Sequence, residues 1–274
     1  MPYKSILEQA KYKPIEDAPF DSVEYIAETK YDGIRAKIVK KGSNVCVLSR
    51  YGNDITNEFP EVENAAKRQI RGDAEVDGEI TMPGKKFGDL IGKLKSIKNF
   101  KRAHIQFRAF DIPSKNRRSL NSNELMERKN VLSHTVKPGS VIKITRYKER
   151  ATIADFKKAI KQGHEGLVFK LKTSKYRPGK RTTDWIKVRN SIPIDARVVG
   201  LKQTKMGKMS FKIVDKKGKS LGLVSSAKLD TTQRNILIDE IKHGSKPWVE
   251  VEGRERTSGG IRHPRIVRVR SDLR

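Results

Sequence analysis

Apolar and polar residues alternate in short runs from residue 25 to residue 189, and this period of two predicts β-strands. The predicted strands are residues 25–29, 33–40, 45–49, 75–80, 104–112, 141–144, 165–170 and 185–189. The turn-forming residues 41–44 join the second and third strands into a hairpin. The fifth strand is expected to stop at Pro113, which cannot donate to a ladder. Residues 1–24 show no strong periodicity, so no element is predicted there.

Stretches with a helical period lie between these strands. The predicted helices are residues 60–70, 121–132 and 152–163. Asn121 with Glu124 at the third position resembles a capping box for the second helix, and Thr152 with Asp155 does so for the third. The alternation of strands and helices indicates an α/β (α+β) domain that ends near Arg189.

The pattern changes after a predicted linker at residues 190–193. The strands predicted beyond it are residues 196–201, 210–215, 221–225, 248–254 and 266–270. One helix begins at Asp230, which has Gln233 at the third position of a capping box. Five short strands with one helix fit a small all-β Greek-key barrel of the OB type. We therefore predict domains at residues 1–189 and 190–274.

The net charge of the chain predicts the kind of partner it binds. Lysine and arginine number 60 against 32 acidic residues, which gives a formal net charge of +28 and a pI near 10.1. Such an excess predicts a polyanionic partner, because basic side chains displace the counterions that condense on a phosphate backbone. The excess is not confined to a tail, which disfavours a role in solubility alone.

Cysteine usage and hydropathy narrow the class of protein. Cys46 is the one cysteine, so the sequence excludes an intrachain disulfide and a cysteine-rich zinc site. We expect Cys46 to be a small buried strand residue. No run approaches the roughly 18 apolar residues of a membrane span, and the first residues lack the apolar core of a signal peptide. A cytoplasmic protein with no membrane partner is the expectation.

Lys30 follows the first predicted strand and opens the sequence Lys-Tyr-Asp-Gly-Ile-Arg. A lysine amine attacks phosphorus only when it is deprotonated, and burial or neighbouring cations lower its pKa. Arg35, Lys187 and a bound metal ion are the candidates for this effect. Gly33 allows a tight turn that presents the amine at a cleft. By itself the motif is weak, and the alternative is a solvated lysine at the end of a strand.

Further residues along the chain supply what such a lysine needs. They are, in order, Arg50, Glu79, Phe110, Glu165, Lys187 and Arg189. The cations suit phosphate or carboxylate, and the last two project to one face of an alternating strand. The glutamates could hold a divalent ion through water, as magnesium prefers, and the phenylalanine offers an aromatic face. Each has an ordinary alternative, as a solvated surface charge or a core aromatic residue.

These segments resemble, in order, the nucleotidyltransferase motifs of ATP-dependent DNA ligases. The matching segments are residues 30–35, 49–52, 77–79, 110–111, 165–168, 185–187 and, in the predicted barrel, 262–268. The absence of large additions makes the chain similar to the minimal ligases of viruses and bacteria. The resemblance implies a nucleotidyltransferase domain with ATP-grasp-like antiparallel sheets, followed by an OB-fold barrel.

The resemblance also implies a role for each matching residue. Lys30 would form the covalent lysyl-adenylate, Glu28 would help to fix the adenine through its backbone, and Phe110 would stack on it. Glu79 would bind the ribose hydroxyl or the metal ion, and Glu165 would serve the metal ion.

Basic residues complete the implied site. They are Arg35 for the ribose and the nick region, Arg50 for the nucleotide or the 5′-phosphate of the nick, Arg181 and Lys187 for the nucleotide phosphate, and Arg262 for the leaving pyrophosphate. Arg189 departs from the family pattern, because many relatives have a second lysine there. Arginine keeps the charge but is not readily deprotonated. We therefore expect Arg189 only to bind DNA, as Arg35, Arg50 and Lys187 are also expected to do.

The implied activity is the sealing of nicks with a 5′-phosphate and a 3′-hydroxyl in duplex DNA, by a monomer that uses ATP and Mg²⁺ (or Mn²⁺). An RNA ligase would use the same first domain, but an Arg-His-Pro segment in a barrel argues against most of them. A messenger-RNA-capping guanylyltransferase would have a last motif like Arg-x-Asp-Lys, which is absent. Only 29 residues precede Lys30, too few for the domain that holds nicotinamide in an NAD-dependent ligase. A non-enzymatic OB-type nucleic-acid binder would leave the motifs of the first domain unexplained.

Overall fold

The computed structural model describes residues 5–84, 90, 104–203, 209–226, 228–253, 256–257, 260–261 and 264–273 of the protein. The chain divides into a first unit, Met1–Arg189, and a second unit, Asn190–Arg274. Among the described residues, every helix is too short or too polar to span a bilayer.

The described part of the first unit is built from two sheets and their covering helices. The strands are, in chain order, β1 (Gln9–Tyr12), β2 (Tyr25–Lys30), β3 (Ile34–Lys41), β4 (Asn44–Ser49), β5 (Ala74–Thr81), β6 (Gln106–Lys115), β7 (Arg118–Ser119), β8 (Ile142–Ile144), β9 (Tyr147–Glu149), β10 (Gly166–Leu171) and β11 (Arg181–Arg189). The helices are α1 (Pro60–Gln69), α2 (Leu125–Thr135) and α3 (Ile153–Lys161), and a 3-10 turn covers Ile15–Asp17.

The first sheet has the strand order β4-β3-β5-β6-β7, and β8 pairs with β6 in parallel. The alternation along each strand turns Ile38, Val76 and Phe107 to one face, where they are buried with helix α1. The opposite face of this sheet is polar.

A row of charged residues crosses that polar face. Arg35 on β3 is the cross-strand partner of Glu79 on β5, Glu79 is the partner of Arg108 on β6, and Arg108 is the partner of Lys143 on β8. Residues directly opposite each other on neighbouring strands project to the same face. The sheet register therefore places these four side chains in one line, although they come from distant parts of the sequence.

The second sheet has the strand order β1-β11-β10-β2-β9. Strand β1 runs parallel to β11, and the other pairs are antiparallel. Helix α3 covers one face, where Phe156 packs with Ala27 and Phe169. The pairing of β2 with β10 places Lys30 opposite Gly166, so the two predicted motifs around Lys30 and Glu165 meet at the end of this strand pair.

The second unit contains an antiparallel sheet and one described helix. Its strands are β12 (Ile192–Gln203), β13 (Met209–Val214), β14 (Ser220–Val224), β15 (Trp248–Gly253), β16 (Arg256–Thr257), β17 (Gly260–Ile261) and β18 (Arg265–Val269), and its helix is α4 (Thr231–Lys242). Strands β14-β13-β12-β15-β18 form the sheet, and β16 pairs with β17. Its core contains Phe211, Leu237, Val249 and Ile266.

The five-stranded sheet of the second unit follows an open path in the described residues, with β14 and β18 at its ends. A parallel bridge from Ser225 to Arg265 connects the end of β14 with the start of β18. These contacts do not amount to a closed barrel in the described part of the chain. The strands and the helix agree with the sequence, and the OB-type barrel stays a prediction.

Helix starts test the capping predictions directly. The side chain of Thr152 accepts the N–H of Asp155, and the side chain of Asp230 accepts the N–H of Gln233, so both capping boxes are confirmed. The capping box predicted at Asn121 is wrong. Helix α2 begins after Glu124 instead, because the carboxylate of Glu127 accepts the N–H of Glu124 at 3.1 Å.

Two prolines that the sequence places outside strands, Pro113 and Pro193, lie inside strands of the structure. Strand β6 continues through Pro113, which falls at an irregularity in the ladder between β5 and β6 where no donor is needed. Pro193 was expected in a linker, but it lies in β12 opposite Glu252. Strand β13 reaches only as far as Arg197, so the missing N–H of Pro193 breaks no ladder on that side.

The expectation of burial for Cys46 is wrong. The thiol is exposed, because the alternation of β4 turns Val45 and Val47 into the core and Cys46 to the other face. Residues 83–98 are rich in lysine and glycine, a composition that predicts a loop, and they lie mostly outside the described residues.

Candidate active site

A pocket between the two sheets of the first unit, called the central pocket here, collects most of the predicted site residues. Glu28, Lys30, Arg35, Arg50, Glu79, Phe110, Arg181 and Lys187 all line it. They come from β2, β3, β5, β6 and β11, and from the turn after β4. The sheet pairing therefore brings together residues that are up to 159 positions apart in the sequence, from 28 to 187.

Lys30 ends β2 and points to Glu165. Its Nζ donates to the Glu165 carboxylate, and both side chains are mostly buried. The backbone reinforces this meeting, because the N–H of Glu165 donates to the carbonyl of Lys30 at 3.1 Å. The candidate nucleophile is thus held by a carboxylate that could also accept its proton.

Two glycines permit this close approach. A Cβ on Gly33 would lie 2.1 Å from the carbonyl oxygen of Ile80, so only glycine lets the turn after Lys30 pass β5. A Cβ on Gly166 would lie 2.1 Å from the carbonyl oxygen of Val188, and Gly166 has a φ of 148°. These contacts give a steric reason for the glycines in the Lys-x-Asp-Gly and Glu-Gly sequences.

Glu79 faces the same pocket from β5. Burial raises its pKa to about 7, although the positive charges of Arg35, Lys30 and Arg50 oppose the rise. The negative charge of Glu165 adds to the rise, so the two carboxylates are near enough to repel each other. That repulsion would be relieved by a cation placed between them.

Lys187 completes a cluster of cations around the pocket. Burial lowers its pKa to about 7, and the charges of Arg181, Lys30, Arg189 and Arg50 lower it further. A phosphate group bound here would stabilise the protonated form. The chemistry of this side of the pocket therefore suits an anion.

Phe110 forms an apolar wall with cations packed on it. The guanidinium carbon of Arg35 lies 4.5 Å from the centroid of its ring, and Lys170 Nζ lies 4.2 Å from it. Trp185 meets the same ring edge to face, with centroids 6.2 Å apart. These contacts fix the Phe110 ring in the pocket wall.

Arg35 is held by a buried carboxylate. Its Nε and Nη2 donate to Asp77 at 2.7 and 2.6 Å, and the hydroxyl of Tyr176 donates to the same carboxylate at 2.7 Å. Asp77 is fully buried. The bidentate pair fixes the guanidinium on the Phe110 ring, which the sequence reading did not foresee.

The carboxylate of Glu28 is engaged by two lysines. It is 2% exposed, and Lys129 Nζ donates to one oxygen while Lys170 Nζ lies 2.7 Å from the other. Lys129 also donates to the carbonyl of Phe110 at 2.7 Å. The predicted adenine contact of Glu28 is thus left to its backbone.

The sequence did not reveal a buried polar layer at the pocket, of which Glu8 and Lys170 also line the pocket. Its members are Glu8, Asp111, Arg128, Lys129, Lys170 and Tyr176, all buried. Arg128 donates to Asp111 at 2.7 and 3.0 Å, and burial lowers the pKa of Lys170 to about 7. The sequence contained one indication of this layer, because Lys170 is an ionisable residue in an otherwise apolar strand.

Three predicted residues are placed differently from the rest. Arg181 lines the pocket but also donates to the carbonyl of Ala10 at 3.0 Å. Arg189 is largely buried, with its guanidinium carbon 4.9 Å from the centroid of the Tyr12 ring, and does not line the pocket. Its DNA contact stays a prediction. Arg262 lies outside the described residues.

The acidic side chains near the pocket decide whether it could bind a metal ion. The described residues contain no group of three or more His, Cys, Asp and Glu side chains placed to bind one. Glu79 and Glu165 form a pair of neighbouring carboxylates. Magnesium commonly binds through one or two carboxylates and keeps several waters, so the pair fits that ion.

Comparisons with known proteins identify the family of the chain. Residues 9–189 match the family model of the ATP-dependent DNA ligase domain, and the chain belongs to this family. It is 29% identical over 188 residues to the DNA ligase of Thermococcus fumicolans, covering 63% of this chain and 34% of that protein. It is 29% identical to the DNA ligase-like protein LigB of a Bacillus subtilis prophage, covering 63% of each.

The chain spans about a third of the length of the archaeal relatives it matches, 34% for those of Thermococcus fumicolans and Thermococcus onnurineus. Solved structures cover nearly all of it. The ligase domain of LigD from M. tuberculosis aligns with 98% of this chain and 96% of its own, with a TM-score of 0.59 and 18% identity. A Lig E DNA ligase aligns with 96% and 99%, with a TM-score of 0.66 and 20% identity. At these identities the likeness establishes the ligase fold.

Proposed function

We propose that this protein is an ATP-dependent DNA ligase that seals nicks through a covalent adenylate on Lys30. The observation that carries the proposal is the meeting of Lys30 and Glu165 in a pocket that also contains an aromatic wall and a cation cluster. A surface lysine at a strand end would need none of these neighbours. The family match over residues 9–189 covers the same pocket.

Each side of the central pocket suits one part of ATP. The wall formed by Phe110 would stack on adenine, with the backbone of Glu28 at its edge. Arg50, Arg181 and Lys187 would hold the phosphates, where positive charge stabilises the transferring group. Positioning and charge neutralisation would supply most of the catalysis.

The carboxylates of Glu79 and Glu165 would hold Mg²⁺ (or Mn²⁺) together with water. The ion would neutralise charge on the phosphate oxygens. Glu165 would have a second task, because its contact with Lys30 allows it to take the proton that the amine must lose.

The reaction would proceed in three phosphoryl transfers. Lys30 Nζ attacks the α-phosphorus of ATP, a P–N bond forms, and the P–O bond to pyrophosphate breaks. The AMP group then passes to the 5′-phosphate at a nick, which frees Lys30. The 3′-hydroxyl attacks the activated 5′-phosphate, the phosphodiester forms, and AMP leaves.

The two units would divide this work. Residues 1–189 would be the adenylation domain, and residues 190–274 an OB-fold domain that closes on the nick and brings Arg262 to the pyrophosphate. The net charge of +28 supports a nicked duplex as the partner. The protein would act on it as a monomer.

A labelling experiment tests the first step. ATP labelled at the α-phosphate should transfer a covalent label to the protein with Mg²⁺, and Lys30→Ala should abolish it. Lys41→Ala is the matched control, because Lys41 is an exposed lysine at the end of β3, the next strand along the chain. A labelled Lys30→Ala protein would remove the assignment. Labelling by GTP and not by ATP would favour a capping enzyme instead.

A further inference from the structure

A second concave surface lies beside the central pocket, in the same unit. We call it the basic groove and define it by Tyr31, Arg108, Lys143, Thr145, Arg146 and Tyr147. It has a volume of about 900 Å³. No acidic residue lines it.

The register of the first sheet connects the groove to the central pocket. In the row Arg35–Glu79–Arg108–Lys143, the first two residues line the central pocket and the last two line the groove. Tyr31, the residue after Lys30, lines both. The groove is therefore a continuation of the candidate active site along the same sheet face.

The groove cations lack protein partners, in contrast to their neighbours. Within the described part of the chain, Arg108, Lys143 and Arg146 form no ion pair, whereas the nearby Lys148 pairs with Asp155 at 2.8 Å. Lys172 likewise pairs with Glu149. Because no acidic residue lines the groove, these like charges repel one another, and their arrangement favours an anionic ligand.

Arg108 adds a second observation. Its Nε is buried and has no hydrogen-bond partner in the described structure. The guanidinium lies over the Tyr31 ring, with 5.0 Å between its carbon and the ring centroid, and the His164 ring meets Tyr31 edge to face at 5.5 Å. Stacking therefore holds the guanidinium in place at the groove, while its buried Nε has no acceptor among the described residues.

We propose that the basic groove binds the phosphodiester backbone of one DNA strand as it leads away from the reacting end at Lys30. This deepens the proposed function and rests on it. Two strand spacings separate the backbones of Glu79 and Lys143, about 10 Å, which is roughly the axial length of three nucleotides of one strand. A strand that leaves the central pocket at Glu79 would therefore reach Lys143 within about three nucleotides and pass Arg108 on the way.

The groove could instead bind the β- and γ-phosphates of ATP, but its size argues against that ligand. Three cations spread over a groove of about 900 Å³ suit an extended backbone better than one compact triphosphate. The exposed ring of Tyr147, 41% accessible, offers a sugar or base a surface beside the phosphates.

The experiment measures binding to a fluorescent duplex with a single nick, in EDTA without ATP, over a range of salt concentrations. The triple variant Arg108→Gln, Lys143→Gln, Arg146→Gln should lower the slope of log affinity against log salt by about 0.9 for each lost contact, about 2.7 in all. Its labelling by ATP in the absence of DNA should match that of the native protein.

The matched control is Lys148→Gln, which removes one exposed charge from β9 outside the groove lining. It should leave the slope unchanged, and the single variant Arg146→Gln should lower it by about 0.9. A triple variant with the native slope would overturn the proposal. A triple variant that loses DNA-free labelling would assign the groove to ATP instead. Failure of the ligase assignment itself looks different, because the native protein would then take no label.

Discussion

The central pocket and the basic groove both border the polar face of the first sheet, yet their cations differ in whether they form ion pairs. In the pocket, Arg35 pairs with Asp77 and Lys30 pairs with Glu165. In the groove, Arg108, Lys143 and Arg146 form no ion pair within the described residues, although Glu79 lies opposite Arg108 in the sheet register. The pocket thus pairs Lys30 and Arg35 with mostly buried carboxylates, whereas the groove leaves its cations without an ion pair and exposes Arg146 to solvent.

This difference separates two tasks that positive charge can perform in one protein. Paired and buried cations are fixed in place, which suits the positioning that a phosphoryl transfer requires. Unpaired cations at the surface can exchange their counterions for a passing phosphate backbone at little cost to the fold. The same residue type serves geometry in one region and affinity in the other.

The largest expected effect tests the pairing in the pocket. Asp77→Asn leaves the buried guanidinium of Arg35 without a counter-charge and should lower the free energy of unfolding by about 3 kcal/mol. Lys143→Gln in the groove should change it by less than about 0.5 kcal/mol. Urea unfolding followed by fluorescence measures both, in a Trp248→Phe background in which Trp185 of the first unit is the only tryptophan. Equal losses in the two variants would contradict the comparison.

The buried Lys170, whose Nζ lies beside the carboxylate of Glu28, gives the next largest effect. Burial lowers the pKa of Lys170 to about 7, so the folded state holds its proton less tightly than the unfolded chain does. Stability contributed by this site should therefore rise with pH above 7, by up to about 1.4 kcal/mol per pH unit. Lys170→Met should lose that slope between pH 7 and pH 9 when unfolding is measured at several pH values. A variant that keeps the native slope would show that Lys170 is not the titrating group.

Nucleotide binding in the pocket should depend on pH through Lys187. Burial and neighbouring cations lower its pKa to about 7, so above pH 7 it must take up a proton before it holds a phosphate. ATP affinity in EDTA should then fall by up to about tenfold per pH unit above 7. Lys187→Arg, which stays charged, should flatten the profile.

Glu79 needs a control in that experiment, because burial raises its pKa to about 7 and its negative charge would also weaken ATP binding as the pH rises. The comparison is therefore made between Glu79→Gln and the double variant Glu79→Gln, Lys187→Arg by calorimetry. A steep profile in the double variant would exclude Lys187 as the cause.

The smallest expected effect tests whether a partner on the protein neutralises the positive charge of Arg108. The pKa of His164 is lowered first by burial and then by the positive charge of Arg108. Arg108→Gln should raise this pKa towards its ordinary value, and Arg146→Gln serves as a comparison at the groove rim. Proton NMR titration of the imidazole measures the shift. An unchanged pKa in Arg108→Gln would mean that the guanidinium is neutralised by a partner.

The sequence predicted the elements whose signals are local. The period of two marked β3 and β4 with their turn, and side-chain caps marked the starts of α3 and α4. It failed at Asn121, because a capping residue three positions later competed for the same helix, and at Pro113, because a ladder irregularity tolerates proline. Strand β1 was missed, since four residues that pair with β11 across the chain carry no period of their own.

The candidate site was predicted to a similar extent. Lys30, Phe110 and Glu165 stood in recognisable motifs, and the structure brings the first and third into contact. Lys129 and Lys170 were missed, because a lysine in a sequence looks solvated until a buried partner is known. Their partner Glu28 lies 101 positions before Lys129.

The sequence by itself determined the alternation of strands and helices, the excess of positive charge and the order of the motif residues, because each depends on neighbours along the chain. The tertiary structure alone decided which charges became paired and which stayed open to a ligand. Arg35 and Arg108 both lie opposite Glu79 in the sheet register, yet Arg35 also forms an ion pair with the buried Asp77, whereas Arg108 forms no ion pair within the described chain. The reason is physical: burial and pairing arise from contacts between distant segments.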